Sequence, residues 1–199
     1  MKKGKIGTFK VVAIIFLCLL VGGGIYFFTN YRIVIPANSN TNKNTNTSAV
    51  ADPTKKPSST VKVSIGSGEG SEGKTVTIPV KFSSVPKKGI DGCDFKLKYD
   101  TTALEMSDVQ PADIIGSTNK DGFSTENDDT NGVISVLFMD TTGNSAITKN
   151  GSFMNITFKV KSGAKKGDSK ITLDSVGAFA DKDLNEIGTD FSAGKVTIK

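Results

Sequence analysis

The sequence contains no histidine and no tryptophan. The first absence removes imidazole as a general base, a metal ligand and a pH switch near neutrality. The second removes the ring best suited to lie flat against a sugar face. Cysteine is scarce as well: Cys18 and Cys93 are far apart, with no C-x-x-C spacing, so neither a zinc site nor a disulfide is indicated. Cys93 is expected to be a buried free thiol. Acidic residues are nearly missing from the first 60 positions, where eight Lys and Arg face only Asp52, a net of +7; the remaining 17 Lys face 19 acids, a net of −2. The overall charge of +5 therefore belongs to the N-terminal part. Residues 61–199 offer no basic face that would argue for nucleic acid.

Long apolar runs are also absent, save one. Residues 11–28, VVAIIFLCLLVGGGIYFF, from Val11 to Phe28, hold 18 residues without a charge. As a helix the run would span roughly 27 Å, close to a hydrocarbon core. Lys2, Lys3, Lys5 and Lys10 precede it. The positive-inside rule then puts residues 1–10 in the cytoplasm and the rest on the extracellular side of the membrane. A cleaved signal peptide is the alternative, with Gly22-Gly23-Gly24 before the cut, giving a secreted chain. Lipidation at Cys18 is disfavoured because Leu17 precedes it. Residues 29–60 form the next segment. Their stretch PANSNTNKNTNTSAVADPTKKPSST, 36–60, has too few large apolar side chains to offset the entropy of ordering and reads as a disordered polar linker.

From Val61 the pattern turns to period two. Residues 61–65, 75–82, 93–99, 153–160 and 195–199 alternate apolar and polar positions. Residues 169–173 and 176–180 are shorter candidates, and 103–109 suits a strand or a short helical turn. Pro79 fits an edge or a bulge. GSGEGSEG, PKKG, DDTNG, KSGAKKGD and DKDLNEIG punctuate the alternation as turns. No apolar stripe of helical period runs over three turns. The pattern predicts an all-β domain at 61–199: a two-sheet antiparallel sandwich.

Residues 133–140, VISVLFMD, do not alternate. Val133, Ser135, Leu137 and Met139 share one parity; Ile134, Val136 and Phe138 share the other. A strand with one wet face should be polar on that face, yet here both are largely apolar. Other motifs have plain readings. DKDLN at 181–185 begins like a calcium loop, but the sixth position is Glu186 and the twelfth is Ser192, so it reads as a polar turn. Glu126, Asp128 and Asp129 read as an acidic loop. Carboxylate pairs suited to glycoside hydrolysis are a weak signal in a domain of 19 acids. Tyr99 falls on the inward parity of its strand, away from any ligand.

Five blocks together resemble a known family: GIDGCDFKLKYDTTALEM, QPADIIG, VISVLFMDTTG, AITKNGSFMNITFKVKSGAKKG and SVGAFADKDL. In this order they are similar to the successive signatures of type I cohesin domains, the receptor modules of cellulosome scaffoldins. The resemblance covers about residues 60–199. It implies a jelly-roll sandwich of nine strands without catalytic site, cofactor or metal of its own. It also implies binding, through one sheet face, of calcium-loaded dockerin modules carried by secreted polysaccharide-degrading enzymes. On this resemblance VISVLFMD lies on the dockerin-facing sheet, with Ser135, Leu137 and Met139 outward. Asp94 matches a hydrogen-bonding Asp of the family, while Gly92 stands where an Asn is usual. Asp128 falls where the family carries a contact Tyr. Asp140 and Gly143 match an acidic position and a turn glycine. The expected function is a monomeric cell-surface receptor that docks one enzyme at a time beside the membrane. A surface carbohydrate-binding module is the alternative, and a pilus-like or adhesin sandwich is a third.

Overall fold

The computed structural model describes Pro57 and residues 59–199. The basic N-terminal segment, the apolar run with Cys18 and nearly all of the polar linker lie outside the described residues. Eleven strands follow in order: β1 (Thr60–Ile65), β2 (Ser67–Gly70), β3 (Thr75–Ser83), β4 (Gly92–Tyr99), β5 (Leu104–Pro111), β6 (Phe123–Asp128), β7 (Val133–Met139), β8 (Gly151–Val160), β9 (Gly167–Ala180), β10 (Gly188–Ser192) and β11 (Gly194–Ile198). Ser117–Gly122 is a 3-10 turn. Among the described residues no helix is long and apolar enough to cross a membrane.

The strands make two sheets, ordered β10-β1-β3-β8-β5 and β2-β11-β9-β4-β7-β6. The inward parities meet between them. Phe82 and Phe153 of the first sheet stack with ring centroids 4.3 Å apart. Phe153 also meets Phe95 at 6.0 Å and the edge of Phe138 at 6.1 Å, both from the second sheet. Cys93 is buried as a free thiol, and burial pushes that thiol well above its ordinary pKa. It is an inert core atom, as the sequence indicated.

The sandwich is all-β and two-layered as expected, but three details differ. The strand count is eleven, not nine. Residues 169–173 and 176–180 are one strand, β9, while β2, β6 and β10 come from segments whose apolar alternation is too weak to read. The supposed acidic loop at Glu126 and Asp128 is the end of β6, with only Asp129 in the turn. Finally, not every pair is antiparallel: β1 pairs β10, and β2 pairs β11, in parallel. The cause lies in two glycines. The chain passes from one sheet to the other at Gly66, between β1 and β2, and near Gly194, where β10 gives way to β11. The two passages run side by side. A Cβ on Gly194 would strike the Gly66 carbonyl and lie 2.7 Å from that of Ile65, and one on Gly66 would lie 2.9 Å from the Pro79 carbonyl. Only glycine permits this approach.

Pro79 lies inside the first sheet and not at its edge, one residue before the register shift between Val80 and Lys81 in the pairing of β3 with β8. Its neighbour β1 ends at Ile65, opposite Val80. The Pro79 carbonyl accepts from Gly66 N at 2.8 Å, and the proline ring fills the space that a Cβ on Gly66 would need, so the glycine at which β1 leaves the sheet makes room for the proline beside it.

Candidate partner-binding face

β4 and β7 are neighbours in the second sheet, with β9 beside β4 and the edge strand β6 beside β7. β7 has Ile134, Val136 and Phe138 buried, with Val133, Ser135, Leu137 and Met139 half-buried. The parity that meets the core is therefore the even one, and the second apolar stripe faces outward. On β4, Cys93, Phe95, Leu97 and Tyr99 are buried; Gly92 and Asp94 are half-buried, while Lys96 and Lys98 are exposed. The register is antiparallel: Gly92 opposes Met139, Asp94 opposes Leu137, Lys96 opposes Ser135 and Lys98 opposes Val133. Across β7, Ser124 opposes Leu137, Glu126 opposes Ser135 and Asp128 opposes Val133. One patch thus holds Leu137 and Met139 at its middle, Asp94 and Gly92 on one flank and the Ser124, Glu126, Asp128 row on the other.

β9 completes the face beside β4, and two irregularities shape it. The pairing of β4 with β9 shifts between Lys96 and Leu97 and again between Cys93 and Phe95. At the second shift Phe95 pairs Val176 while Cys93 pairs Phe179, so β9 carries one extra residue there. The extra residue frees the Ala178 N–H, which donates to Asp94 Oδ1 at 2.8 Å. Val176, paired with the core-facing Phe95, is nonetheless 42% exposed. Leu184 is 62% exposed on the turn after β9. Neither residue was singled out in the sequence: Val176 lies beside a bulge that breaks the parity of β9, and Leu184 lies in a turn.

The remaining expected residues have different tasks. The exposed Asp128 carboxylate caps the β6–β7 turn: it accepts from Thr130 N at 3.1 Å, Asn131 N at 3.0 Å and Asn131 Nδ2 at 2.8 Å. The Asn131 side chain, followed by these backbone donors, holds its pKa below the ordinary value. Asp140, expected on the face, is instead 4% exposed at the end of β7. Its Oδ1 accepts from Thr142 N and Thr142 Oγ1, both at 2.8 Å, and Gly143 N at 2.9 Å, while Oδ2 accepts from Ser145 N. Burial alone would raise its pKa, but these donors outweigh burial and lower it. Asp140 builds the loop in which Gly143, exposed and at φ 75°, makes the turn. Two more aspartates crowd this end of the sandwich. Asp181 is buried and closes the 181–185 turn by accepting from Asp183 N and Asn185 N, both at 2.9 Å. Asp91 has one buried carboxylate oxygen without a hydrogen-bond partner. Burial, then the charges of Asp140 and Asp181, push the Asp91 carboxyl up.

The face can offer apolar contact and oxygen acceptors. Among the described residues no group of three or more His, Cys, Asp or Glu is placed to hold a metal ion. Tyr99, whose ring packs inward 5.2 Å from that of Phe158, gives its hydroxyl to Asn127 and is unavailable to a ligand.

A family model described as the cohesin domain matches residues 61–198. Cellulosomal-scaffolding protein A of Acetivibrio thermocellus is 42% identical over 144 residues, which is 71% of this chain and 8% of that protein. The cellulosome-anchoring protein of the same species is 32% identical over 143 residues, 71% of this chain and 32% of the relative. The chain thus spans a small part of the length of these relatives. Among solved structures, the seventh ScaB type I cohesin from Pseudobacteroides cellulosolvens is 39% identical with a TM-score of 0.66, covering 70% of this chain and 92% of that one. The cohesin–dockerin complex Coh-OlpA-Doc918 from Clostridium thermocellum is 32% identical with a TM-score of 0.67, covering 70% and 99%. The match runs from the first strand to the last, and the chain belongs to the cohesin domain family.

Proposed function

We propose that this protein is a cell-surface receptor whose cohesin domain binds calcium-loaded dockerin modules of secreted polysaccharide-degrading enzymes in cellulosome assembly. One observation carries the reading: the outer face of β4 and β7 presents a half-buried apolar pair, Leu137 and Met139, in register with an acceptor, Asp94. Such a pair on an open sheet face is what a partner would cover. Cohesin relatives solved together with dockerins support the same partner class. The contacts we assign to it are Asp94, Ser135, Leu137 and Met139. Gly92 and Asp128 occupy the flanks of the same patch, and Asp140 and Gly143 shape the loop at its end. The domain binds and does not catalyse, and the calcium belongs to the partner.

The N-terminal part gives the receptor its place. Residues 11–28 anchor it, four lysines hold residues 1–10 inside, and the polar linker spaces one docked enzyme from the membrane. The uncharged run and its flanking lysines support this reading. The carbohydrate-binding alternative is weaker, because the exposed large apolar side chains among the described residues, Val176 and Leu184, are not aromatic.

The test is capture from the culture supernatant of a cellulolytic clostridium, with captured proteins sequenced. Dockerin-bearing enzymes should be retained in calcium and released by chelator. Retention of none, or retention of glycans instead, would refute the receptor reading.

A further inference from the structure

The Asp94 carboxylate lies across the backbone of β9 at Gly177. A Cβ built on Gly177 would come 2.6 Å from Asp94 Oδ1 and closer still to its Cγ and Oδ2. All three atoms of the carboxylate therefore occupy the space that any other residue would fill. The backbone angles of Gly177 lie outside the left-handed region, so what this position requires is room. The extra residue in β9 also turns the Ala178 N–H toward Asp94, giving the 2.8 Å bond to Oδ1. Two independent features thus converge on one side chain: a hole cut in the neighbouring strand, and a donor supplied by its bulge.

We propose that Gly177 is a positioning residue for partner binding. It acts through Asp94 and rests on the receptor reading above. Without Gly177 the carboxylate would swing off β9, lose the Ala178 N–H and stand over Leu137 in a range of rotamers. With it, Oδ1 is fixed from beneath and the carboxylate is held at one place on the face before a partner arrives. Fixing an acceptor in advance removes the cost of ordering it during association. The device also makes the β9 bulge part of the binding surface, since the bulge supplies the Ala178 N–H that holds Asp94 down. Gly92, on the same flank, has no such part, since a Cβ there would meet only the Phe138 carbonyl at 3.7 Å. Asp94 is therefore the built polar anchor of the face, and Gly177 is what builds it.

The experiment uses the isotope-labelled full chain as wild type, Gly177→Ala, Asp94→Ala and the double variant. Amide exchange at Ala178 is read on the free protein. Affinity is read with two calcium-loaded probes, the dockerin modules of the Clostridium thermocellum complexes Coh-OlpA-Doc918 and Coh-OlpC-Doc435. Ala178 exchange should quicken in both single variants. Gly177→Ala should weaken binding as much as Asp94→Ala, about tenfold, and the double variant should bind no worse than Asp94→Ala alone. If Gly177→Ala does not fold, the double variant should, because removing the carboxylate makes room for the methyl group. Unchanged Ala178 exchange in Gly177→Ala, additive losses in the double variant, or a double variant that stays unfolded would each overturn the proposal. A wild type that binds neither probe would count against the receptor reading instead, and Ala178 exchange and the folding of the double variant would still decide the role of Gly177.

Discussion

Leu137 and Phe138 are neighbours in β7 with opposite fates, and a pair of substitutions separates them. Phe138 is fully buried, and its ring edge meets Phe153 at the centre of the aromatic core. Phe138→Ala would remove the ring from the contact between sheets and leave a cavity. Core aromatic truncations of this kind cost about 3–5 kcal/mol, a large share of the stability of a domain this size. Leu137 is half-buried on the other face, between Asp94 and Ser124. Leu137→Asp forfeits only part of a leucine's burial and adds repulsion from Asp94 across the ladder, softened by solvent, so folding should weaken by about 1 kcal/mol. In the complex the new carboxylate would be desolvated at the middle of the patch, costing about 2–4 kcal/mol of affinity, or roughly 30- to 900-fold. Urea denaturation and calorimetric titration with a calcium-loaded dockerin read the two quantities. If Leu137→Asp unfolds the domain while Phe138→Ala is mild, the two faces of β7 are inverted and the site is misplaced.

Two of the aspartates at one end of the sandwich, Asp140 and Asp91, give predictions of opposite sign. Asp140 has a depressed folded pKa, so its stabilisation is present above the ordinary carboxylate range and is lost as pH falls through its folded value, below about pH 4. Asp140→Ala should cost about 2–3 kcal/mol at neutral pH by leaving the donors of residues 142–145 unpaired, and a denaturation curve that hardly moves would refute the role given to it. Asp91 has a raised folded pKa, so its contribution is favourable in acid and is lost as pH rises through the window between the ordinary and raised values. Asp91→Asn should therefore raise the melting temperature at pH 7 and lose that advantage in acid; a lowered melting temperature at pH 7 would contradict this. Chelator should leave the melting temperature of the free domain unchanged, and a marked drop would reveal a structural metal site in this chain.

Some of this was legible in the sequence, because β4 alternates over its whole length: Asp94 could be placed on the outer face from alternation alone, and Tyr99 and Cys93 in the core. Leu137 could not, because both parities of β7 are largely apolar, and only the family resemblance put it outward. β9 was not legible as one strand, because its two register shifts each reset the parity; the exposure of Val176 was hidden by the same cause. β6 was missed because its inner side holds Phe123, Thr125 and Asn127, only one of them strongly apolar. Asp140 shares the composition of a contact residue, and only the closure of residues 140–145 around its carboxylate shows that it serves the loop. The parallel edge pairs follow from two glycine crossings that meet in space, not in sequence.

Amide exchange of the full chain with and without a bound calcium-loaded dockerin tests the central claim most directly, because it maps where the partner lies. The account predicts added protection along β4, β7 and the Val176–Ala178 stretch of β9, centred on Asp94 and Leu137. Protection confined to β1, β3 and β8 of the opposite sheet, or no calcium-dependent protection at all, would contradict it.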